Sequence, residues 1–143
     1  MTYYKGSQDK NLVRGDSRVF NLFVKSPASS AQEVDTPIDL TGSIITFTMK
    51  SENIDYQLRP NDPVVIRKTS DDTAEVEISD QGDPELIGRA TIYLQPDDTK
   101  FLPIGIYRYD IQIKTAAGRV YTVSSGRIYL TMDTTAAEDI TNP

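Results

Sequence analysis

Apolar and polar residues alternate with a period of two along most of this chain. Phe20, Leu22 and Val24 share one phase, with Asn21, Phe23 and Lys25 in the other. Ile45, Phe47 and Met49 alternate with Thr46 and Thr48, and Ala74, Val76 and Ile78 alternate with Glu75 and Glu77. Val64 to Lys68 is a shorter run, and Ala90, Ile92 and Leu94 repeat the pattern. Tyr107, Tyr109, Ile111 and Ile113 form the longest set. Tyr121 and Val123, then Ile128, Leu130 and Met132, complete the series. Successive strand side chains point to opposite faces, so a period of two predicts strands with one buried and one wet face. The β-branched residues at these positions favour the same reading, and no stretch carries a long helical apolar period.

Turn-forming residues separate the runs. Residues 26–37 and 51–63 are polar connections containing proline. Asp71-Asp72 and Asp80-Gln81-Gly82-Asp83-Pro84 read as turns. Pro96 to Leu102 reads as one helical turn crossing between sheets, and Ala116-Ala117-Gly118-Arg119 as a hairpin with Gly118 at positive φ. Gly126 is expected to mark a bulge. Residues 1–14 read as an N-terminal arm, either flexible or a loosely held first strand. Residues 15–133 carry the strands, and 134–143 form a flexible acidic C-terminal tail. The fold predicted is all-β: an antiparallel sandwich of about 7–8 strands, immunoglobulin-like in architecture.

Composition narrows the chemistry. The 143 residues are 38% hydrophobic and 25% charged, which suits one thin two-layer domain. Cysteine and histidine are both absent, which removes thiolate chemistry, the commonest metal ligand and the commonest general base. The expectation is therefore no enzyme, no catalytic residues, no metal and no cofactor. The net charge of −6 argues against nucleic acid, and no apolar run reaches membrane-spanning length. The N-terminus lacks the apolar core of a signal peptide, so a chain made soluble in a cytoplasm is expected.

Two resemblances sharpen the picture. In Leu102-Pro103-Ile104-Gly105-Ile106-Tyr107, a glycine precedes a tyrosine by two residues, as at the start of the sixth strand of immunoglobulin-like domains. There the tyrosine hydroxyl bonds back to the preceding loop and pins the corner, a role the resemblance assigns to Gly105 and Tyr107. Cysteine and tryptophan are missing, so this is no antibody-type domain. A longer series runs through Arg14-Gly15-Asp16-Ser17-Arg18-Val19-Phe20, Pro37-Ile38-Asp39-Leu40-Thr41-Gly42 and Ile45-Thr46-Phe47. It continues with Pro96-Asp97-Asp98-Thr99, Gly105 to Ile111 and Gly126-Arg127-Ile128. In that order it resembles the N-terminal domain of phage baseplate upper proteins and related tail and virion modules. That family carries further helical and receptor-facing regions after this domain, which the chain, stopping at Pro143, does not match. The resemblance implies a multicopy attachment or adaptor module of a tail or baseplate. Its partners would be other virion proteins and further copies of itself, and its location the virion.

Several other motifs have plainer structural explanations. Arg14-Gly15-Asp16 matches an adhesive tripeptide, but a turn with Gly15 at the bend and Asp16 bonding nearby amides explains it. Asp71-Asp72, Asp80 with Asp83, and Asp97-Asp98 offer calcium-type oxygens without the spacing of a calcium loop, and solvated turns account for them. Glu75 and Glu77 are spaced as a carboxylate pair, and equally as a charged outer strand face. Of the eight tyrosines, Tyr107, Tyr109 and Tyr121 fall in the core phase, whereas Tyr3, Tyr4, Tyr56, Tyr93 and Tyr129 are expected at the surface as candidate protein contacts. A capsid decoration role and a carbohydrate- or receptor-binding module using Tyr56 and Tyr93 are the alternatives.

Overall fold

A computed structural model describes residues 6–26, 36–52 and 63–133. Its strands, in chain order, are β1 (Gly6–Ser7), β2 (Lys10–Val13), β3 (Arg18–Phe23), β4 (Lys25–Ser26), β5 (Thr36–Pro37) and β6 (Ile44–Ser51). They continue with β7 (Val64–Thr69), β8 (Val76–Ile78), β9 (Arg89–Leu94), a four-residue helix α1 (Pro96–Thr99), β10 (Gly105–Lys114) and β11 (Val120–Thr131). Most of the predicted loops 26–37 and 51–63, and the predicted tail 134–143, lie outside the described residues.

The protein is an all-β sandwich. The larger sheet runs β1-β11-β10-β6-β7, with β2 also alongside β11; the smaller runs β3-β9-β8. All pairs are antiparallel except those of β1 and β2, which lie parallel to β11. Residues 6–13 are thus part of the large sheet, and Leu12 is buried in the core.

The core follows the alternating residues. Ile45, Phe47 and Met49 of β6, Tyr107 to Ile113 of β10, and Ile128 and Leu130 of β11 face Phe20, Ala90, Ile92 and Leu94 of the small sheet. The Phe47 ring bridges the layers, 5.9 Å from Phe20 and 5.7 Å from Tyr109, within the range of favourable aromatic pairs.

The structure corrects the expected pattern in three places and adds a buried cation. Ala74 is exposed in a turn, because Asp72 Oδ1 accepts its N–H and Asp72 O accepts those of Glu75 and Val76, leaving β8 only three residues. Gly126 lies in regular register opposite Tyr109; the ladder slips instead at Val123, opposite the Ile111/Gln112 step. Met132 follows the last paired residue and is 64% exposed. Lys68 points inward with Ile66, and this buried cation is neutralised by Asp98 of α1 at 2.9 Å. Asp98 also accepts the Gln95 N–H, so the same carboxylate caps the helix and ties it to β7.

Candidate protein-contact face

Register on the large sheet places outward-pointing residues side by side. Lys50 of β6, Arg108 of β10 and Arg127 of β11 form one row across three strands. Arg67, Thr48, Asp110 and Ser125 form the next row. Along these rows lies an open groove of about 430 Å³, whose lining includes Lys50, Arg67, Arg108, Asp110, Thr48 and Ser125.

Arg108 and Arg127 stand directly opposite, an arrangement that like charges disfavour. Glu52 resolves it. Its backbone N–H bonds to Ile106 O at 3.1 Å, which continues β6 against β10 and swings the side chain under both arginines. Oε1 accepts Arg108 Nε at 3.0 Å and Arg127 Nε and Nη2 at 3.1 Å each. The Glu52 side chain is only 2% exposed, while each guanidinium side chain keeps 36%. Its Oε2 is buried and accepts no hydrogen bond from the described residues. The Glu52 charge first, then a hydrogen bond with Tyr129, pushes Arg127 further up, so this guanidinium is charged at every accessible pH. The result is a double-guanidinium surface that stays partly open to solvent, chemistry suited to carboxylates.

The predicted site residues distribute as follows. Tyr129 lies on this face, opposite Ile106 and half-buried rather than exposed. Tyr93 is also half-buried, but on the outer face of the small sheet beside Val19, so the two tyrosines form no common platform. Tyr3, Tyr4 and Tyr56 lie outside the described residues. Gly105 has φ +150°, a region that suits glycine, and the buried Tyr107 donates its hydroxyl to Pro103 O.

The remaining motifs are used structurally. Gly15, at φ +82°, donates its N–H to Thr99 Oγ1, and the turn is closed by Asp16 N–H to Val13 O rather than by the Asp16 carboxylate. Arg14 pairs with Asp133 at 3.1 Å. Glu75 Oε2 accepts the Thr69 N–H, and Asp72, Asp80 and Asp83 each accept an amide two residues on. Among the described residues no three carboxylates converge as a metal site, and no helix is long and apolar enough to cross a membrane.

Sequence reasoning missed Glu52, Arg108 and Arg127. The outward phase of both arginines was readable, but not that a ladder pairs residues 19 apart in sequence or that Glu52 reaches under them.

No family model matches the chain, and no curated protein matches it. Among solved structures, a family 123 glycoside hydrolase from Clostridium perfringens, studied for glycolipid glycan hydrolysis, aligns with 90% of this chain at 11% identity and a TM-score of 0.41. The chain spans 23% of the length of that enzyme. At that TM-score the likeness carries no argument.

Proposed function

We propose that this protein is a phage virion component, an immunoglobulin-like adaptor module present in many copies in a tail or baseplate, and not an enzyme. The observation that supports the reading is that the motif fragments resembling baseplate upper proteins interlock in space. The Arg14-Gly15-Asp16 turn is bonded through Gly15 N–H to Thr99 of the Pro96-Asp97-Asp98-Thr99 fragment. In the Asp39-Leu40-Thr41-Gly42 fragment, Asp39 accepts both the N–H and the hydroxyl of Thr41, and Gly42 turns at φ +75° while Leu40 enters the core. Gly105 and Tyr107 build the corner, and Gly126 lets residue 8 approach β11. Residues far apart in sequence thus serve one framework, as parts of a single module would. On this reading the work is done by rigid surfaces that tile against neighbours, with repetition multiplying weak contacts.

The test is mass spectrometry and gold labelling of purified phage particles from the source of this sequence. A stoichiometric band, with label on tail or baseplate, is the expected result. Absence from particles, or selective binding on a glycan array by a protein missing from particles, overturns it.

A further inference from the structure

The charges of this chain are segregated. Among the described residues, four cations stand around the groove on the large sheet, Lys50, Arg67, Arg108 and Arg127, against the carboxylates Glu52 and Asp110 and, at its β11 end, Asp9, which accepts the Arg127 backbone N–H at 3.0 Å. Yet the chain as a whole carries −6. The deficit is concentrated elsewhere: between Asp71 and Glu85 there are seven carboxylates and no lysine or arginine. This stretch comprises the turn after β7, the strand β8 and the turns before β9. Among the described residues β8 is an edge of the small sheet and pairs with β9 alone. Asp71, Glu77, Asp80 and Glu85 are exposed along it. A cationic groove and an acidic edge therefore occupy different surfaces of one molecule.

We propose that the groove on the outer face of the large sheet receives the acidic β8 edge of a second copy of this chain, in a head-to-tail contact. The inference rests on the multicopy reading above and names its partner surface. Three physical points carry it. The arginine pair is preorganised by the nearly buried Glu52, so its donors are presented at little entropic cost, and carboxylates are the groups that guanidinium forks fit best. The short β8 edge and its flanking turns carry exposed carboxylates at Asp71, Glu77, Asp80 and Glu85, so they offer side-chain charge to a cationic groove rather than a ladder of backbone hydrogen bonds. Finally, at about 0.15 M salt screening acts over roughly 8 Å, so the overall repulsion of two anionic molecules fades while close ion pairs persist. The two patches are different surfaces, so the contact is heterologous. It leaves one groove and one edge unfilled and continues into a ring or a filament.

The experiment is sedimentation velocity of the full chain over a concentration series at about 0.15 M salt and again at about 1 M, where screening shrinks to roughly 3 Å. Mass above the monomer that rises with concentration and collapses at high salt is expected. Two charge-reversed proteins then test the surfaces: Lys50→Glu with Arg67→Glu, and Glu77→Lys with Asp80→Lys. Each alone should sediment as a monomer, and an equimolar mixture should associate again, which also shows that both are folded. A wild-type protein that stays monomeric, or association that survives both reversals, overturns the proposal. A monomer nevertheless found in purified particles sinks this contact and leaves the virion reading standing; head-to-tail assembly by a protein absent from particles does the opposite.

Discussion

The hydroxyl of Tyr109, on the central strand β10, donates a hydrogen bond to the backbone oxygen of Gln8, 101 residues earlier in the chain. Gly126 lies opposite Tyr109 on β11, and a Cβ there would sit 2.4 Å from the same Gln8 oxygen. One residue anchors the N-terminal strand and the other makes room for it.

Tyr109→Phe should therefore cost about 1 kcal/mol through the lost hydrogen bond, and Gly126→Ala more, roughly 1–3 kcal/mol, because the obstacle is backbone. Urea unfolding gives the totals. Hydrogen exchange should show the loss first at the amides of residues 10–13, which pair with β11. Uniform loss across the sandwich would contradict this local anchoring.

Tyr107→Phe removes the corner bond to Pro103 and should cost about 1 kcal/mol. Burial pushes the Tyr107 phenol above its ordinary 10.0, and does the same for Tyr109. The folded protein then holds protons that the unfolded chain releases. Their contribution is complete below pH 10.0 and is lost as pH rises from there through the raised folded values. Thermal melts between neutral and strongly alkaline pH should show a steep alkaline limb in the wild type and a shallower one in Tyr107→Phe.

Glu52→Gln leaves two guanidinium groups facing each other without their shared anion. We expect a loss of about 1–3 kcal/mol, below that of a fully buried pair because both arginines retain contact with water. The loss should shrink as salt screens the repulsion. A stability difference independent of ionic strength would mean that Glu52 acts through packing alone.

Asp98→Ala strands the Lys68 ammonium inside the sandwich and removes a helix cap at once, for a loss of roughly 3 kcal/mol or more. Lys68→Met should cost much less, since an apolar chain of similar length fills the same space. Equal losses from the two substitutions, measured by chemical denaturation, would contradict the argument.

Much of this architecture was legible along the chain, because side-chain alternation is a local property. Ile45, Phe47 and Met49 enter the core in the phase their spacing predicts, as do Tyr107 to Ile113 and Ala90 to Leu94. Gly118 turns at φ +86°, as the hairpin requires. Ala74 failed because a capping Asp72 outcompeted the strand pattern locally. Gly126 was misread because its reason for being glycine is the approach of residue 8, which no local window contains.

What the sequence by itself determined is therefore the class of the fold, the inward phase of each strand, and most of the turns. All of these arise from interactions within a few residues. The tertiary structure alone decided which strands are neighbours, that residues 6–13 close the large sheet beside β11, and that Lys68 belongs inside with Asp98. It alone placed Glu52 under Arg108 and Arg127, 56 and 75 positions away. Register between distant strands is set by the summed packing of both sheets, and that sum is carried by no single stretch of chain.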